Sequence, residues 1–378
     1  MAKTTYKKRV INGKEYYYYR IRFPGGKYKD VYAPTVKELK EKIKLPSSGI
    51  IITRDNYGDY LKDWLYNTLL IDKKPSTKER YDSIFRNYIE DSPIYYIKLS
   101  EISSIHIQTY YNQLIENGKS IATIKNLHKI IAPSIKYAYN NNRICKDFSK
   151  ALVIPKDNKI NKEPNVKPFT IDEQFKFLEI IKGTKLEMLF ITALDTGMRQ
   201  GELLALTWND VDLTNRTITV NKTYKVVKDL NTEKYVGTIQ PPKTQKGTRT
   251  IPIPVHLANK LKQYKVKQKE LRLKSANLYE DNNLVFCNEF GKYLDSSNIL
   301  KLFKKILKDN KLKDRKFHDL RHTYATRLFE LGENAKTVQT ILGHSNISIT
   351  LDTYTHVLED MKVKAISKLD NLYINTRA

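Results

Sequence analysis

The chain has 378 residues, and 67 Lys and Arg against 41 Asp and Glu give it a formal net charge of +26. With 40% hydrophobic residues and 14 Gly it is neither a disordered tail nor a fibrous repeat, and its length accommodates two or three domains. So large a basic excess calls for a polyanionic partner, nucleic acid first, since Lys and Arg displace the counterions of phosphates.

The first 44 residues hold 13 Lys and Arg against 4 Asp and Glu. Tyr16–Phe23 is aromatic and β-branched, bounded by Gly13 and Pro24-Gly25-Gly26, and reads as a strand. Its alternation places Tyr17, Tyr19, Ile21 and Phe23 on one face, suited to pack on a helix over Thr35–Lys44. Tyr16, Tyr18, Arg20 and Arg22 fall on the other. A further strand, Lys27–Tyr32, follows the turn. A small sheet fits the major groove and Arg reads guanine edges, so the Arg20 face, with Lys27, is a candidate DNA surface. A merely solvated amphipathic face is the simpler alternative.

Residues 46–50 read as a linker. Helices follow, with Tyr81, Ile84, Phe85, Tyr88 and Ile89 at helical spacing, one after Ser103-Ser104, and one after Ser120 with Ile124, Leu127, Ile131 and Ile135 as its apolar stripe. Pro155, Pro164 and Pro168 among Lys156, Lys159, Lys162 and Lys167 mark an interdomain connector. Thr170-x-x-Glu173 then opens a helix as a capping box. Strands are expected at Thr217–Tyr224, Tyr235–Gln240 and Arg249–Ile253, and helices over 255–273, 296–308, 318–330 and 359–370. The expected fold is multidomain α+β: a small three-stranded sheet with a helix (1–45), an all-α domain (51–153), a linker (154–169) and a mixed, mostly α domain with a tail (170–378).

The Met188–Leu194 apolar run is far short of the roughly 20 residues that span a bilayer. No apolar stretch follows the charged residues of the first nine positions, so a cytoplasmic location with neither membrane anchor nor secretory signal is expected. Cys145 and Cys287 cannot by themselves make a disulfide framework or a zinc site.

Four short pieces carry chemistry. Thr196–Leu203 sets Arg199 just after a glycine at a helix start. Pro242–Arg249 is a Lys-bearing turn between strands. His318-Asp319-Leu320-Arg321-His322 opens a helix with His318 and Arg321 on one face. Leu342-Gly343-His344 ends a helix, and Tyr354 follows. Each alone is weak; their order gives them weight.

Together, T-G-M-R-x-G-E-L-L-A-L-x-W, H-D-L-R-H-T-x-A-T and L-G-H-S…T-x-x-Y resemble the boxes of the tyrosine recombinases, the integrase family of site-specific DNA recombinases. The resemblance covers about residues 168–360. It extends more loosely to the helical block, similar to a core-binding domain, and to the N-terminal sheet, similar to the arm-binding domain of two-site phage and conjugative-transposon integrases.

The resemblance implies a set of roles. Tyr354 attacks the scissile phosphorus to form a 3′-phosphotyrosine, with no metal or nucleotide cofactor. Arg199 and Arg321 clamp the nonbridging oxygens, Lys243 protonates the departing 5′ oxygen, and His318 assists proton transfer at the tyrosine. His344 hydrogen-bonds the phosphate, and Glu202 orients active-site side chains, including Lys243 or His318. Lys246 rivals Lys243, and His322 is read as packing or bonding locally. The resemblance also implies a homotetramer on two duplexes with core and arm-type sites, joined by an excisionase and a host DNA-bending protein. Val363, Ile366 and Leu369 in the tail fit docking, on a neighbouring protomer or in cis. The rival functions are dimer resolution by the same chemistry, a non-catalytic DNA-binding regulator, a metal-dependent transposase or nuclease, and a type IB topoisomerase.

Overall fold

The computed structural model describes residues 6–22, 28–44, 55–155, 167–242, 247–344, 346–354 and 366, and the chain divides into two compact units, Met1–Ile160 and Asn161–Ala378. In the first unit, Asn12 and Gly13 have φ of 48° and 75° and turn β1 (Lys7–Ile11) into β2 (Lys14–Arg22). Asn-Gly tolerates this left-handed backbone, whose twist matches that of paired antiparallel strands. β3 (Tyr28–Ala33) pairs with the other edge of β2, with Tyr18 opposite Tyr32 and Arg20 opposite Asp30. Helix α1 (Val36–Lys44) buries Leu39 with Val31 and Ala33, and Tyr6 and Tyr17 pack against them.

Tyr17 therefore lies on the helix side as its alternation predicts. Tyr19, on the same face, stays 45% exposed and meets Tyr6 edge-on. Its amphipathic ring rests on a neighbouring aromatic instead of entering the core. Phe23 and Lys27 lie outside the described residues.

The helical block comprises α2 (Tyr57–Trp64), which runs into a π-turn at Leu65–Leu69, then α3 (Pro75–Tyr88), α4 (Ser104–Glu116) and α5 (Ile121–Asn140). Ser120 caps α5 by accepting the Thr123 N–H at 3.2 Å. Ile124, Leu127, Ile131 and Ile135 are all buried, and α5 touches α2, α3 and α4. The sequence reading did not single out α2. It is fixed by Tyr57, whose hydroxyl is 3.1 Å from Ser134 Oγ, and by Tyr60, which donates to the Ser134 carbonyl at 2.9 Å.

The second unit opens with α6 (Ile171–Ile181) behind a complete capping box: Thr170 Oγ1 accepts from Glu173 N, and Glu173 Oε2 from Thr170 N. α7 (Glu187–Thr196) and α8 (Gln200–Ala205) follow. The strands are β4 (Val211–Asp212), β5 (Thr217–Val220), β6 (Thr223–Lys228), β7 (Tyr235–Gln240) and β8 (Arg249–Pro252). They form a β4-β5-β8 sheet and a separate β6-β7 ribbon.

The single strand expected over Thr217–Tyr224 is thus divided between two sheets. The break falls at Asn221 and Lys222, whose side chains bond Asp210 at 2.9 and 2.5 Å and draw the chain out of the first sheet. β5 and β8 alternate, with Ile218 opposite Ile251 and both fully buried. These two residues meet a core of Phe169, Phe177, Phe190, Phe303 and Phe317, whose rings contact one another at 5.2 to 6.0 Å.

The remaining helices are α9 (Val255–Ser275), α10 (Ser296–Asp309), α11 (His318–Glu330), α12 (Ala335–Leu342) and α13 (Ile347–Thr353). A second, smaller apolar cluster joins Ala325, Phe329, Val338, Leu342 and Tyr354. The helix expected over 359–370 lies outside the described residues except for Ile366, which is helical and exposed. Among the described residues no helix is long and apolar enough to cross a membrane.

Candidate active site

Two helices end on left-handed glycines, α7 at Gly197 (φ 61°) and α12 at Gly343 (φ 68°). Neither position has room for a side chain. A Cβ on Gly197 would lie 2.6 Å from the Tyr324 ring, and one on Gly343 would lie 2.9 Å from Arg249 Cδ. The last carbonyls of a helix lack partners within it and carry partial negative charge, so they attract cations.

Here two arginines fill that need. Arg321 donates through one terminal nitrogen to the Gly197 carbonyl at 2.8 Å and through the other to the Leu342 carbonyl at 2.6 Å. Arg249 Nε donates to the neighbouring Ile341 carbonyl at 2.8 Å. Arg321 is only 2% exposed; burial first, then the charge of Arg199, push its pKa down to about 9. At neutral pH it stays charged.

Arg199 is the N-cap of α8 and is held there by Glu202, which accepts from the Arg199 backbone N–H at 2.9 Å and from its guanidinium at 2.8 Å. Both Glu202 oxygens also receive Arg249, at 2.8 and 3.3 Å. Burial alone would raise the Glu202 pKa, but hydrogen bonding and charge from Arg249, helped by Arg199, hold it at about 2. The active-site side chains that Glu202 bonds are the guanidinium groups of Arg199 and Arg249. Arg249 was not singled out from the sequence, although its R-x-I-P setting at the start of β8 was noted.

His318 and His322 stand one turn apart on α11 with rings edge-on at 4.9 Å. The surrounding protein atoms first, then positive neighbours including Arg321, lower both imidazoles to about 4 and His344 to about 3. His344 Nδ1 lies 2.9 Å from Thr350 Oγ1. Tyr354 follows α13 and is fully buried, its ring 5.4 Å from Phe329 and 5.8 Å from His322. Burial raises its phenol pKa well above the ordinary value, against an opposing pull from Arg321.

The imidazole in contact with the Tyr354 hydroxyl is His322, at 2.8 Å, and not His318 as expected. The structure therefore gathers Arg199, Glu202, Arg321, His318, His344 and Tyr354 in one place and adds Arg249 and His322. Lys243, Lys246 and His356 lie outside the described residues.

On the N-terminal sheet, Arg20 grips Asp30 through two bonds of 2.7 and 2.9 Å, and Tyr18 stacks on Tyr32, which also accepts from Arg9. Arg20 is thus an ion-paired guanidinium, because β3 sets Asp30 directly opposite it. Tyr16 shares the face and is half-buried.

A buried tyrosine hydroxyl among guanidinium and imidazole groups, on a mostly helical domain, defines the class: an enzyme equipped for tyrosine-dependent strand transfer. The phage integrase family model matches residues 169–361, and the model of the phage integrase N-terminal SAM-like domain matches residues 56–115. A "Tyrosine recombinase XerC-like" protein of Caldanaerobacter subterraneus subsp. tengcongensis is 39% identical over 98% of this chain and 99% of its own. The ICEBs1 integrase of Bacillus subtilis is 27% identical over 80% of this chain and 79% of its own. The structure of the Tn1549 transposon integrase in complex with transposon right end DNA is similar at a TM-score of 0.66 and 25% identity, covering 81% of this chain and 98% of that one. The chain belongs to the phage integrase family and is a tyrosine-type site-specific DNA recombinase.

Proposed function

We propose that this recombinase integrates and excises a mobile element, cutting each strand through a 3′-phosphotyrosine at Tyr354. One observation supports the assignment above the others. Tyr354 stands in one cluster with Arg321, Arg199 and three imidazoles, where Glu202 is neutralised by Arg249 and Asp319 leaves the arginines in excess. Positive potential is left where a phosphodiester would sit.

The planar forks of Arg199 and Arg321 suit the two nonbridging oxygens, and His318 and His344 are neutral donors for the same group. Lys243, with Lys246 as its rival, supplies the proton to the departing 5′ oxygen. The new phosphoester conserves the energy of the broken bond, so rejoining consumes no nucleotide. Incubation with attachment-site DNA nicked beside the crossover, followed by denaturation, should yield a covalent adduct mapping to the Tyr354 peptide. No adduct, or one on another side chain, would overturn the assignment.

In this reading residues 1–45 bind an arm-type site, while the helical block and the catalytic unit close on the core site. Four protomers assemble on two duplexes in the cytoplasm, with an excisionase and a host DNA-bending protein directing the reaction. The basic sheet supports two-site binding, and the names of relatives, the integrase of Staphylococcus phage L54a and the transposase from transposon Tn916, support a mobile element. The XerC-like name of another relative favours dimer resolution as the second reading. Removal of residues 1–44 separates the two. Cleavage of a core-site duplex should survive and integration at a full attachment site should be lost, whereas a resolvase would keep complete recombination.

A further inference from the structure

We infer that His322 is a catalytic residue, the group that takes the proton from Tyr354 as the phenol oxygen attacks. The inference rests on the proposed reading of Tyr354 as nucleophile. His322 Nδ1 is 2.8 Å from the Tyr354 hydroxyl oxygen. In the tautomer that carries its proton on Nε2, Nδ1 offers its lone pair and accepts the phenol O–H. Phe329 backs the phenol at 5.4 Å, and His318 backs His322 edge-on at 4.9 Å, so the two polar atoms are held in register from both sides. The other charged groups acting on the pair are Arg321, on both members, and Asp319, on the phenol.

The step balances within these groups. The O–H bond of Tyr354 breaks, its proton passes to Nδ1, and the freed electron pair makes the O–P bond. The P–O5′ bond breaks toward the 5′ oxygen, which takes a proton from the general acid, proposed above as Lys243. On rejoining, the 5′ hydroxyl gives its proton back to the deprotonated general acid and attacks, the P–O(Tyr) bond breaks, and Nδ1 returns its proton to the phenolate.

The protein groups around the pair oppose this transfer. Burial and then the Arg321 charge keep the imidazole neutral, and burial keeps the phenol protonated. A phosphodiester seated on Arg199 and Arg321 brings the missing negative charge, offsets Arg321, and favours an imidazolium beside the doubly charged transition state. The nucleophile is therefore silent until DNA arrives.

The test pairs His322→Asn with site-specific replacement of Tyr354 by a ring-fluorinated tyrosine, a more acidic phenol that needs less help from a base. With the natural phenol, His322→Asn should slow cleavage about 10²–10³-fold; with the fluorinated one, the loss should shrink to below about tenfold. Equal losses for both phenols would mean that His322 merely packs against the tyrosine and would overturn the proposal, as would wild-type cleavage by His322→Asn. Melting temperature and gel-shift affinity for the core site verify that the variant folds and binds; His322→Gln serves if His322→Asn does not fold. Tyr354→Phe must form no adduct in any background. Adduct formation there would overturn the nucleophile assignment itself, an outcome distinct from either result for His322.

Discussion

Replacing Arg321 by Lys should reduce strand cleavage by on the order of 10³-fold or more, while the protein keeps much of its stability. Arg321 does two jobs with one guanidinium. It ties the carboxyl ends of α7 and α12 together through Gly197 and Leu342, and in the proposed function its buried positive charge meets the phosphate. An ammonium can satisfy one carbonyl but cannot fork across both, nor grip two phosphate oxygens at once.

Arg321→Ala should add a folding defect, since each buried carbonyl left without a donor costs about 1–3 kcal/mol, offset in part by the removal of a desolvated cation. Cleavage by Arg321→Lys within tenfold of wild type, measured under single-turnover conditions on a nicked core site, would remove Arg321 from the centre of the site. The same unbalanced charge predicts an acid response. His318, His322 and His344 bind protons less readily in the folded state than unfolded, so the unfolded chain takes up more protons as pH falls from about 6.5 toward 4. Stability is lost across that window, and bound DNA should narrow the loss.

How far the site was legible from sequence differs residue by residue. Arg199, His318 and Arg321 stand in the first turn of a helix or at its cap and His344 directly follows a glycine-ended helix, and such punctuation is local and readable; Tyr354, at the end of α13, is legible only through its spacing from that glycine. His322 belongs to the same short motif as Arg321, but its contact is made by a ring 32 residues further on, after two more helices have turned the chain back. No local pattern encodes that return. Arg249 reads as an ordinary strand residue. Its importance lies in a bare Gly343 and a buried Glu202 brought to it by tertiary folding.

In the fold, a long helix with an apolar stripe such as α5 emerges from apolar spacing. The division of Thr217–Tyr224 depends on Asp210, a residue before the strand begins, and no propensity reveals it. The first strand of the sheet was expected but unlocated; its strongest sequence signal was the Asn12-Gly13 pair that turns it into β2.

The Glu202–Arg249 pair should show the largest stability effect in the catalytic unit. Arg249→Met strips a buried carboxylate of its main partner, a loss that typically costs about 3–5 kcal/mol. For a unit of this size the melting temperature should fall by about 10 °C, at roughly 2–4 °C per kcal/mol. In the wild type Glu202 is held at about 2, below the ordinary carboxylate value, so its stabilisation is fully present above that ordinary value and is lost as pH falls through about 2. Without Arg249 the carboxyl binds its proton more readily, and the variant escapes part of its penalty at mildly acid pH. The stability gap between wild type and Arg249→Met, measured by urea unfolding, should therefore narrow as pH is lowered from 7 toward 4. Combining Glu202→Gln with Arg249→Met should cost less than the sum of the single changes, because neither a buried carboxylate nor a buried Arg249 guanidinium is left without the other. A gap that stays constant with pH, together with additive losses, would mean that the two side chains do not act as a pair. Arg199 would then need another explanation for its position, since its guanidinium is fixed here by the carboxylate that Arg249 keeps ionised.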